Sequence, residues 1–258
     1  MIFKIFLVIK TLVNFHTAIM DKLGFVKGFV IYSVRGGNSQ FVARAGTEDM
    51  AEIVVVSSGH EYRLDLIKLP DRPQVVDLGG HIGTFSILVD KLTKGKATVY
   101  SYEPDEDNFR ILSCNLLINN VKSVKAYNSA ISNYNGKGYL KREKLNTDAY
   151  YLDSKTNGSS NCEVMTLKKA LSKYEPITID LLKLDIEGGE YDLFDHAETL
   201  EFILKKVHYI CMEYHDISSK KNYSRLRKVI EPNFTVVYKR GNVLILKNPN
   251  WKNGGHKK

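Results

Sequence analysis

The chain has 258 residues, a length that suits one α/β domain carrying an N-terminal extension. Hydrophobic residues make up 43% and charged residues 26%, which excludes a disordered chain, and no repeat points to a solenoid. The net charge of +8 favours anionic partners such as phosphorylated substrates, nucleic acid or a membrane face, although a merely solvated basic surface explains the same excess.

The N-terminal stretch has its longest uninterrupted apolar run at Ile5 to Ile9, far short of the roughly 20 residues that span a bilayer. No small-residue cleavage site follows it. Ile2, Ile5, Phe6, Ile9, Leu12, Val13 and Ile19 recur at helical spacing, with Lys4, Thr11, Asn14 and Asp21 opposite. This is an amphipathic helix whose apolar face is expected to cover the protein's own core. Peripheral contact with a membrane or a partner is the alternative.

Residues 1–70 read as an extension of helices and short strands, residues 71–250 as the main domain and residues 251–258 as a basic tail. Pro70 and Pro73 punctuate the entry to a βα alternation. Val75 to Leu78 is a short buried strand, Gly79 to Gly83 a turn, and Phe85, Leu88 and Leu92 mark the helix that follows. Ala97 to Tyr102 is the second strand. The helix beyond it is opened by Pro104-Asp105 and carries Phe109, expected in the core, with Leu112 and Leu116. Val124 to Ile131 reads as the third strand, and Asn133 to Asn161 as irregular loops with a short hairpin. Ile179 to Leu184 and Val207 to Met212 are the fourth and fifth strands, and Ser218 to Ile230 is a basic helix. Phe234 to Tyr238 and Val243 to Leu246 form a closing hairpin around Gly241-Asn242. The pattern predicts a doubly wound, mostly parallel sheet with an antiparallel C-terminal hairpin.

Basic residues concentrate at Lys220, Lys221, Arg225, Arg227 and Lys228 and in the tail from Trp251 to Lys258. Cys114, Cys162 and Cys211 are distant and odd in number, so neither a disulfide framework nor a zinc motif is implied. A reducing compartment, and hence a cytoplasmic location, is the simplest expectation. Cys114 and Cys211 are expected as small apolar fillers of core elements.

Ligands on such sheets bind at the carboxyl ends of the strands. The segment from Val75 to Phe85 places Asp77 at one such end and turns through Gly79, Gly80 and Gly83. A dinucleotide fingerprint would need glycine at Leu78, so it fails. Asp77 would repel a pyrophosphate and suits a cationic or hydroxyl-bearing ligand. Glu103, 20 residues beyond Gly83, stands near the offset at which an acid meets ribose hydroxyls on this fold. Asp185, Glu187 and Glu190 lie at the tip of the fourth strand, with Glu213 and His215 at the tip of the fifth. Such acids need a cation, a proton or a donor between them. Three readings stay open: a divalent-cation site through Asp185, Glu213 and His215, a general base, or a cap on the helix that follows. Arg44, Thr47 and Asp49 form a compact polar group upstream, either closing over a ligand or forming a salt-bridged turn.

From about Arg44 to His215 the sequence resembles the FkbM-type methyltransferases. The matching strings are RAGTED at 44–49, VVDLGGHIGTFS at 75–86, YEPDEDNFRIL at 102–112, CNLLINN at 114–120, NSAIS at 128–132, DLLKLDIEGGE at 180–190 and MEYH at 212–215. The resemblance implies a class I methyltransferase of Rossmann-like fold, dependent on S-adenosylmethionine and acting on a hydroxyl of a small molecule, often a sugar or a polyketide, with a sugar or glycan the expectation here. S-adenosylmethionine carries an ammonium and a sulfonium, the charge that Asp77 suits. By the resemblance, Asp77, Gly79, Gly80, His81, Gly83, Thr84, Phe85, Glu103, Pro104, Asn128 and Asp185 would hold the cofactor. Asp185 is the first candidate for general base, His215 the second, and Glu187 a hydrogen-bonding support. Gly80 and His81 depart from the usual Ala and Asn, Gly80 at no steric cost. Nucleic-acid methylation, which the charge favours, is opposed by Asp-Ile-Glu-Gly in the place of an Asn/Asp-Pro-Pro-aromatic string. A non-catalytic cofactor-binding subunit is the remaining alternative.

Overall fold

The computed structural model describes residues 2–142, 150–153, 160–175, 177–216, 218 and 222–251. The extension holds α1 (Ile2–Thr11), α2 (Phe15–Lys22), the antiparallel pair β1 (Phe29–Ser33) and β2 (Gln40–Arg44), and α3 (Asp49–Ser57). The main domain follows as β3 (Gln74–Leu78), α4 (Thr84–Leu92), β4 (Thr98–Tyr102), α5 (Glu106–Ile118) and β5 (Val124–Tyr127). A second sheet is built from β6 (Ala130–Ser132), β7 (Gly136–Arg142), β8 (Tyr150–Asp153) and β9 (Ser160–Thr166). The chain then returns through α6 (Leu167–Leu171), β10 (Ile179–Leu184), α7 (Glu190–Asp195), α8 (Ala197–Lys206), β11 (Val207–Glu213), α9 (Tyr223–Asn233), β12 (Thr235–Arg240) and β13 (Val243–Lys247).

The main sheet runs β12-β13-β11-β10-β3-β4-β5. Its five strands from β11 to β5 are parallel, and β13 and β12 close it as an antiparallel hairpin. All six residues of β10 are buried, as a strand covered on both faces requires. β3 and β10 are neighbours although about a hundred residues separate them, so the strand order reverses between them. That reversal is the switch point where ligands of such sheets bind.

Three expectations are corrected in the sheets and helices. The third strand splits: Asn128 Nδ2 donates to the Glu103 and Pro104 carbonyls, the chain bends, and β6 leaves the main sheet to pair with β9. The stretch expected as loops and a short hairpin supplies β7, β8 and β9; residues 143–149 and 154–159 within it lie outside the described residues. The basic helix starts at Tyr223 rather than Ser218, because the Asn222 side chain caps it by accepting from Arg225 N. Lys220, Lys221 and residues 252–258 of the basic clusters are also outside the described residues.

Two side chains are corrected as well. Cys211 is buried as expected, but Cys114 is exposed, because α5 turns Ile111, Leu112 and Asn115 inward. Phe109 is half-buried rather than in the core.

The extension docks on α4 and α5. Leu12, Tyr32, Phe41, Ala43 and Ile53 pack with Ile82, Ile87 and Ile111. Buried Asn115 locks the seam, its Oδ1 accepting from Val42 N at 2.7 Å and its Nδ2 donating to the Ile82 carbonyl at 2.8 Å. The amphipathic segment is turned the other way from expectation. Leu7, Leu12 and Ala18 face the core, whereas Ile5, Phe6, Ile9, Val13 and Ile19 are exposed. Asp21, expected on the solvent side, is buried and accepts from the Tyr32 hydroxyl and from Gly46 N. The segment also breaks at residues 12–14, where Val13 N and Asn14 bond to β1 instead of continuing the helix.

Candidate functional site

The site is assembled at the carboxyl ends of β3, β4, β10 and β11. After β3 the chain reverses: Gly79 N and Gly80 N both donate to the Tyr102 carbonyl, and Gly83 N to the Gly80 carbonyl. Gly79 has φ +81°, and a Cβ there would lie 1.8 Å from the Asp185 carbonyl oxygen. Only glycine permits β3 to turn that close to the end of β10. Gly80 is also more constrained than the sequence suggests. A Cβ would stand 2.4 Å from Ser101 Oγ and 2.8 Å from Leu112 Cδ1, so alanine requires those side chains to move. Gly83 caps α4 with φ +90°.

Asp77 lies beneath this turn and is fully buried. Its Oδ2 accepts from Ser86 Oγ at 2.6 Å and Ser101 Oγ at 3.2 Å, and Lys183 Nζ is 3.4 Å from Oδ1. The expectation of a carboxylate directed at a cationic ligand is therefore corrected: the cation it meets is Lys183 of β10. Lys183 also donates to the Gly79 carbonyl at 2.6 Å, which pins the turn. Burial opposes the charge on Lys183, but Asp77 and Asp185 outweigh it and hold its pKa up. Phe85 is corrected too. It is buried edge-on against Tyr62, at 5.3 Å between ring centroids, and belongs to the core. Thr84 is fully buried, and its hydroxyl has no protein partner among the described residues.

Glu103, at the end of β4, accepts from His81 N at 2.7 Å on one oxygen and from Asp105 N at 2.9 Å on the other. Asn108 Nδ2 donates to that second oxygen at 3.5 Å, so the free lone pair of the carboxylate is on the oxygen that meets His81 N. Beside it Asn108 Oδ1 and Ser129 Oγ are buried with no protein partner among the described residues. Pro104 and Asn128 shape this rim through the carbonyl–amide bonds already described.

His81 adopts φ +46° and points at the extension. It pairs with Glu52 of α3 and lies 3.4 Å from Asp49 Oδ1. Burial opposes its charge, but Glu52 and Asp49 raise its pKa to about 9. Asp49 in turn takes Arg44 Nη2 at 2.7 Å and Nε at 2.9 Å, while the Thr47 hydroxyl donates to the Arg44 carbonyl. Arg44, Thr47 and Asp49 thus form a salt-bridged turn that steadies His81 rather than a flap over a ligand.

The acids at the tips of β10 and β11 do converge. Asp185 Oδ2 accepts from the Tyr62 hydroxyl at 2.7 Å and is 3.7 Å from Lys183 Nζ. Burial pushes its carboxyl up, but Lys183, His215 and Tyr62 overcome burial and hold it below the usual carboxylate range. His215 stands 3.4 Å from Glu190, 3.6 Å from Glu187 and 3.9 Å from both Asp185 and Glu213. Burial opposes its protonation, yet the Glu190 bond and the surrounding acids raise its pKa to about 10. Glu187, at φ +51°, is raised to about 7, chiefly by burial. Glu190 is fully buried and accepts from Ile186 N at 3.0 Å, so it holds the start of α7. The open alternatives thus divide by residue, with Glu190 structural and Asp185 chemically available.

Glu61 and Tyr62, from the turn after α3, complete the cluster and were not foreseen. Burial and the nearby Asp185 and Glu213 push the Glu61 carboxyl up to about 9, so it carries the proton in its bond to Glu213. The donor atoms of Glu61, Asp185 and Glu213 lie within 4.8 Å of one another, as do those of Asp185, Glu187 and His215. The expected cation set of Asp185, Glu213 and His215 is thus divided between two groups that share Asp185.

Comparison with known proteins agrees with this architecture. Residues 77–235 match the family model described as the methyltransferase FkbM domain. Over 161 residues the chain is 29% identical to methyltransferase sdnD of Sordaria araneosa, covering 50% of this chain and 62% of that protein. Over 150 residues it is 25% identical to methyltransferase 1 of Beauveria bassiana, covering 50% and 60%. The matched part therefore spans about three-fifths of the length of these curated relatives. The solved structure of methyltransferase FkbM from Methylobacillus flagellatus KT superposes with a TM-score of 0.50 at 15% identity, covering 76% of this chain and 54% of that one. That likeness is one of fold, and it places the chain among class I methyltransferase architectures.

Proposed function

The chain belongs to the FkbM methyltransferase family, and from that premise we propose that it is an S-adenosylmethionine-dependent O-methyltransferase acting on a hydroxyl of a small molecule, a sugar or glycan. The observation that carries this reading is Asp185: an ionised carboxylate at the switch point, against the glycine turn, gripped by Tyr62 and Lys183.

The rim fits the cofactor. Glu103 keeps a free lone pair for a hydroxyl, and the partnerless Asn108 Oδ1 and Ser129 Oγ suit a ligand rich in hydrogen-bonding groups. Glu103, Asn108, Asn128 and the turn from Gly79 to Gly83 would hold the nucleoside side. When bound, S-adenosylmethionine supplies an electrophilic methyl group on a sulfonium, with a neutral thioether as leaving group.

The chain's own task is to place the acceptor and take its proton. A hydroxyl oxygen that gains a methyl group becomes positively charged, and its proton becomes strongly acidic. A carboxylate of ordinary strength then suffices, and Asp185 receives that proton. His215 does not: with a pKa of about 10 it holds no free lone pair at neutral pH. It neutralises the acids around it instead. Glu187, poised near pH 7, can donate to or accept from a second acceptor hydroxyl.

The acids also bear on the substrate class. Asp185, Glu187 and Glu213 gather carboxyl oxygens at one place, and such oxygens accept well from the hydroxyls of a sugar. The test is to incubate the purified chain with S-adenosylmethionine and separate panels of sugars, hydroxylated small molecules and RNA. S-adenosylhomocysteine release with a methyl ether on a small acceptor is expected. A methylated RNA base as product would overturn the reading, and turnover abolished by a chelator would return Asp185 to a metal-ligand role.

A further inference from the structure

The outward turn of α1 and α2 leaves an apolar surface that the catalytic domain does not use. On α1 the exposed pair Ile5 and Ile9 lies one helical turn apart, with Phe6 beside it at 62% exposure and Val13 exposed just beyond the helix end. On α2 the stripe is Ile19, Met20 and Leu23, Leu23 being 63% exposed. Phe25 N bonds back to the Met20 carbonyl, so Phe25, 70% exposed, extends that stripe. β1 presents Phe29, 69% exposed, and Ile31 on its outer face, while Tyr32 faces inward. Val13 N bonds to the Ser33 carbonyl, and Asn14 Nδ2 to the Ile31 carbonyl, which joins the end of α1 to that strand. A scattered exposed hydrophobe needs no explanation, but a run of them on three adjoining elements does.

The charges on this surface have one sign. Residues 1–35 contain Lys4, Lys10, Lys22, Lys27 and Arg35, and their sole acid is Asp21. Asp21 is buried against Tyr32 and Gly46. Lys10, Lys22, Lys27 and Arg35 are exposed, and the Arg35 guanidinium is fixed beside the α1 pair by its bond to the Ile9 carbonyl. We infer that this face docks on an anionic lipid surface, with the aromatic and aliphatic side chains entering the headgroup boundary and the lysines and arginine meeting lipid phosphates. A second copy of the chain fits less well, since two such faces would bring cations against cations with no exposed acid to offset them. None of the described helices is long and apolar enough to cross a membrane, so the contact is peripheral. The inference does not depend on which acceptor is methylated.

The experiment is vesicle co-sedimentation of the full chain, using phosphatidylcholine vesicles with and without phosphatidylglycerol. Phe6→Ser/Phe25→Ser/Phe29→Ser removes apolar contacts, Lys22→Glu/Lys27→Glu reverses charge, and Leu117→Ser, an exposed apolar residue of α5 outside the patch, is the control. The wild type is expected to sediment with the anionic vesicles and to be released by salt. Each patch variant is expected to lose binding about tenfold or more, a change of roughly 1.4 kcal/mol, with an unchanged melting temperature, while the control keeps it. Equal binding to neutral and anionic vesicles, or undiminished binding by both patch variants, would overturn the inference. So would a wild type that ignores vesicles, including one whose dimer in sedimentation equilibrium is broken by the aromatic substitutions.

Discussion

The Tyr62 hydroxyl donates to Asp185 Oδ2 at 2.7 Å, joining the turn after α3 to the tip of β10 across 123 residues of chain. The extension therefore supplies a wall of the candidate site as well as a cover for α4 and α5. Tyr62→Phe keeps the ring against Phe85 and deletes only the donor. A hydrogen bond to a charged group contributes about 1.5–3 kcal/mol. Turnover is expected to fall roughly tenfold or more, and the melting temperature by on the order of 5 °C. Steady-state kinetics beside thermal denaturation checks this, and a variant with full kcat would show the bond to be dispensable.

Asp185→Asn preserves the shape of the side chain and removes its ability to accept a proton. Loss of a general base typically costs about 10²–10⁴-fold in rate. Calorimetry with S-adenosylhomocysteine should give an affinity close to that of the wild type, while kcat falls into that range. Full activity would reassign the proton to another group.

Lys183 is the cation set against Asp77 in the core, where burial raises the carboxyl's pKa and Lys183 opposes that rise. Replacing it by Met leaves a carboxylate that is fully buried and, among the described residues, supported only by Ser86 and Ser101. Removing one partner of a buried pair costs about 3–5 kcal/mol. For a protein of this size the melting temperature should drop by on the order of 10 °C. The double variant Lys183→Met/Asp77→Asn should recover part of that loss, because no unpaired charge remains. Thermal scans of the three proteins provide the comparison.

Much of this arrangement could be read from residue order. The glycine turn, Glu103 and the run from Asp180 to Glu190 each lie next to a strand end, so local pattern and site coincide. Lys183 lies within the same run, but its pairing with Asp77 depends on the register between β3 and β10, which hydrophobic periodicity does not encode. Glu61 and Tyr62 come from a turn far upstream. The available signal was a polar and aromatic string, His60-Glu61-Tyr62-Arg63, directly after the apolar helix α3. The amphipathic segment misled for a different reason. Periodicity shows that α1 has two faces but not which one turns inward, and here the buried Asp21–Tyr32 bond and the docking of Leu12 decide it.

The pH dependence of stability should carry the mark of His215. Its pKa rises from 6.5 to about 10 on folding. A group with a raised folded pKa contributes stability that is fully present below its unfolded value and is lost as pH rises through the folded one. The loss attributable to His215 therefore falls between pH 6.5 and about 10. His81, raised to about 9, and Glu61, raised to about 9, act with the same sign, so the wild-type decline is a composite. His215→Gln isolates one component. Urea midpoints measured across that range should decline less steeply in the variant than in the wild type. Parallel curves would mean that His215 is not held charged by Glu190 and its neighbours.

The two glycines after Asp77 should respond differently to a methyl group. At Gly79 the added carbon meets backbone, the Asp185 carbonyl oxygen at 1.8 Å, and the left-handed φ of +81° adds strain. Neither obstacle can move without separating β3 from β10. Gly79→Ala is expected to lose more than about 4 kcal/mol, in the range reserved for severe lesions, or to fail to accumulate as folded protein. At Gly80 the neighbours are side-chain atoms, Ser101 Oγ and Leu112 Cδ1, and φ is not left-handed. Rotation of those groups absorbs part of the overlap, so Gly80→Ala should cost about 1–3 kcal/mol. Urea denaturation of both variants ranks them. A Gly80→Ala protein less stable than Gly79→Ala would contradict the close approach of the turn to the end of β10.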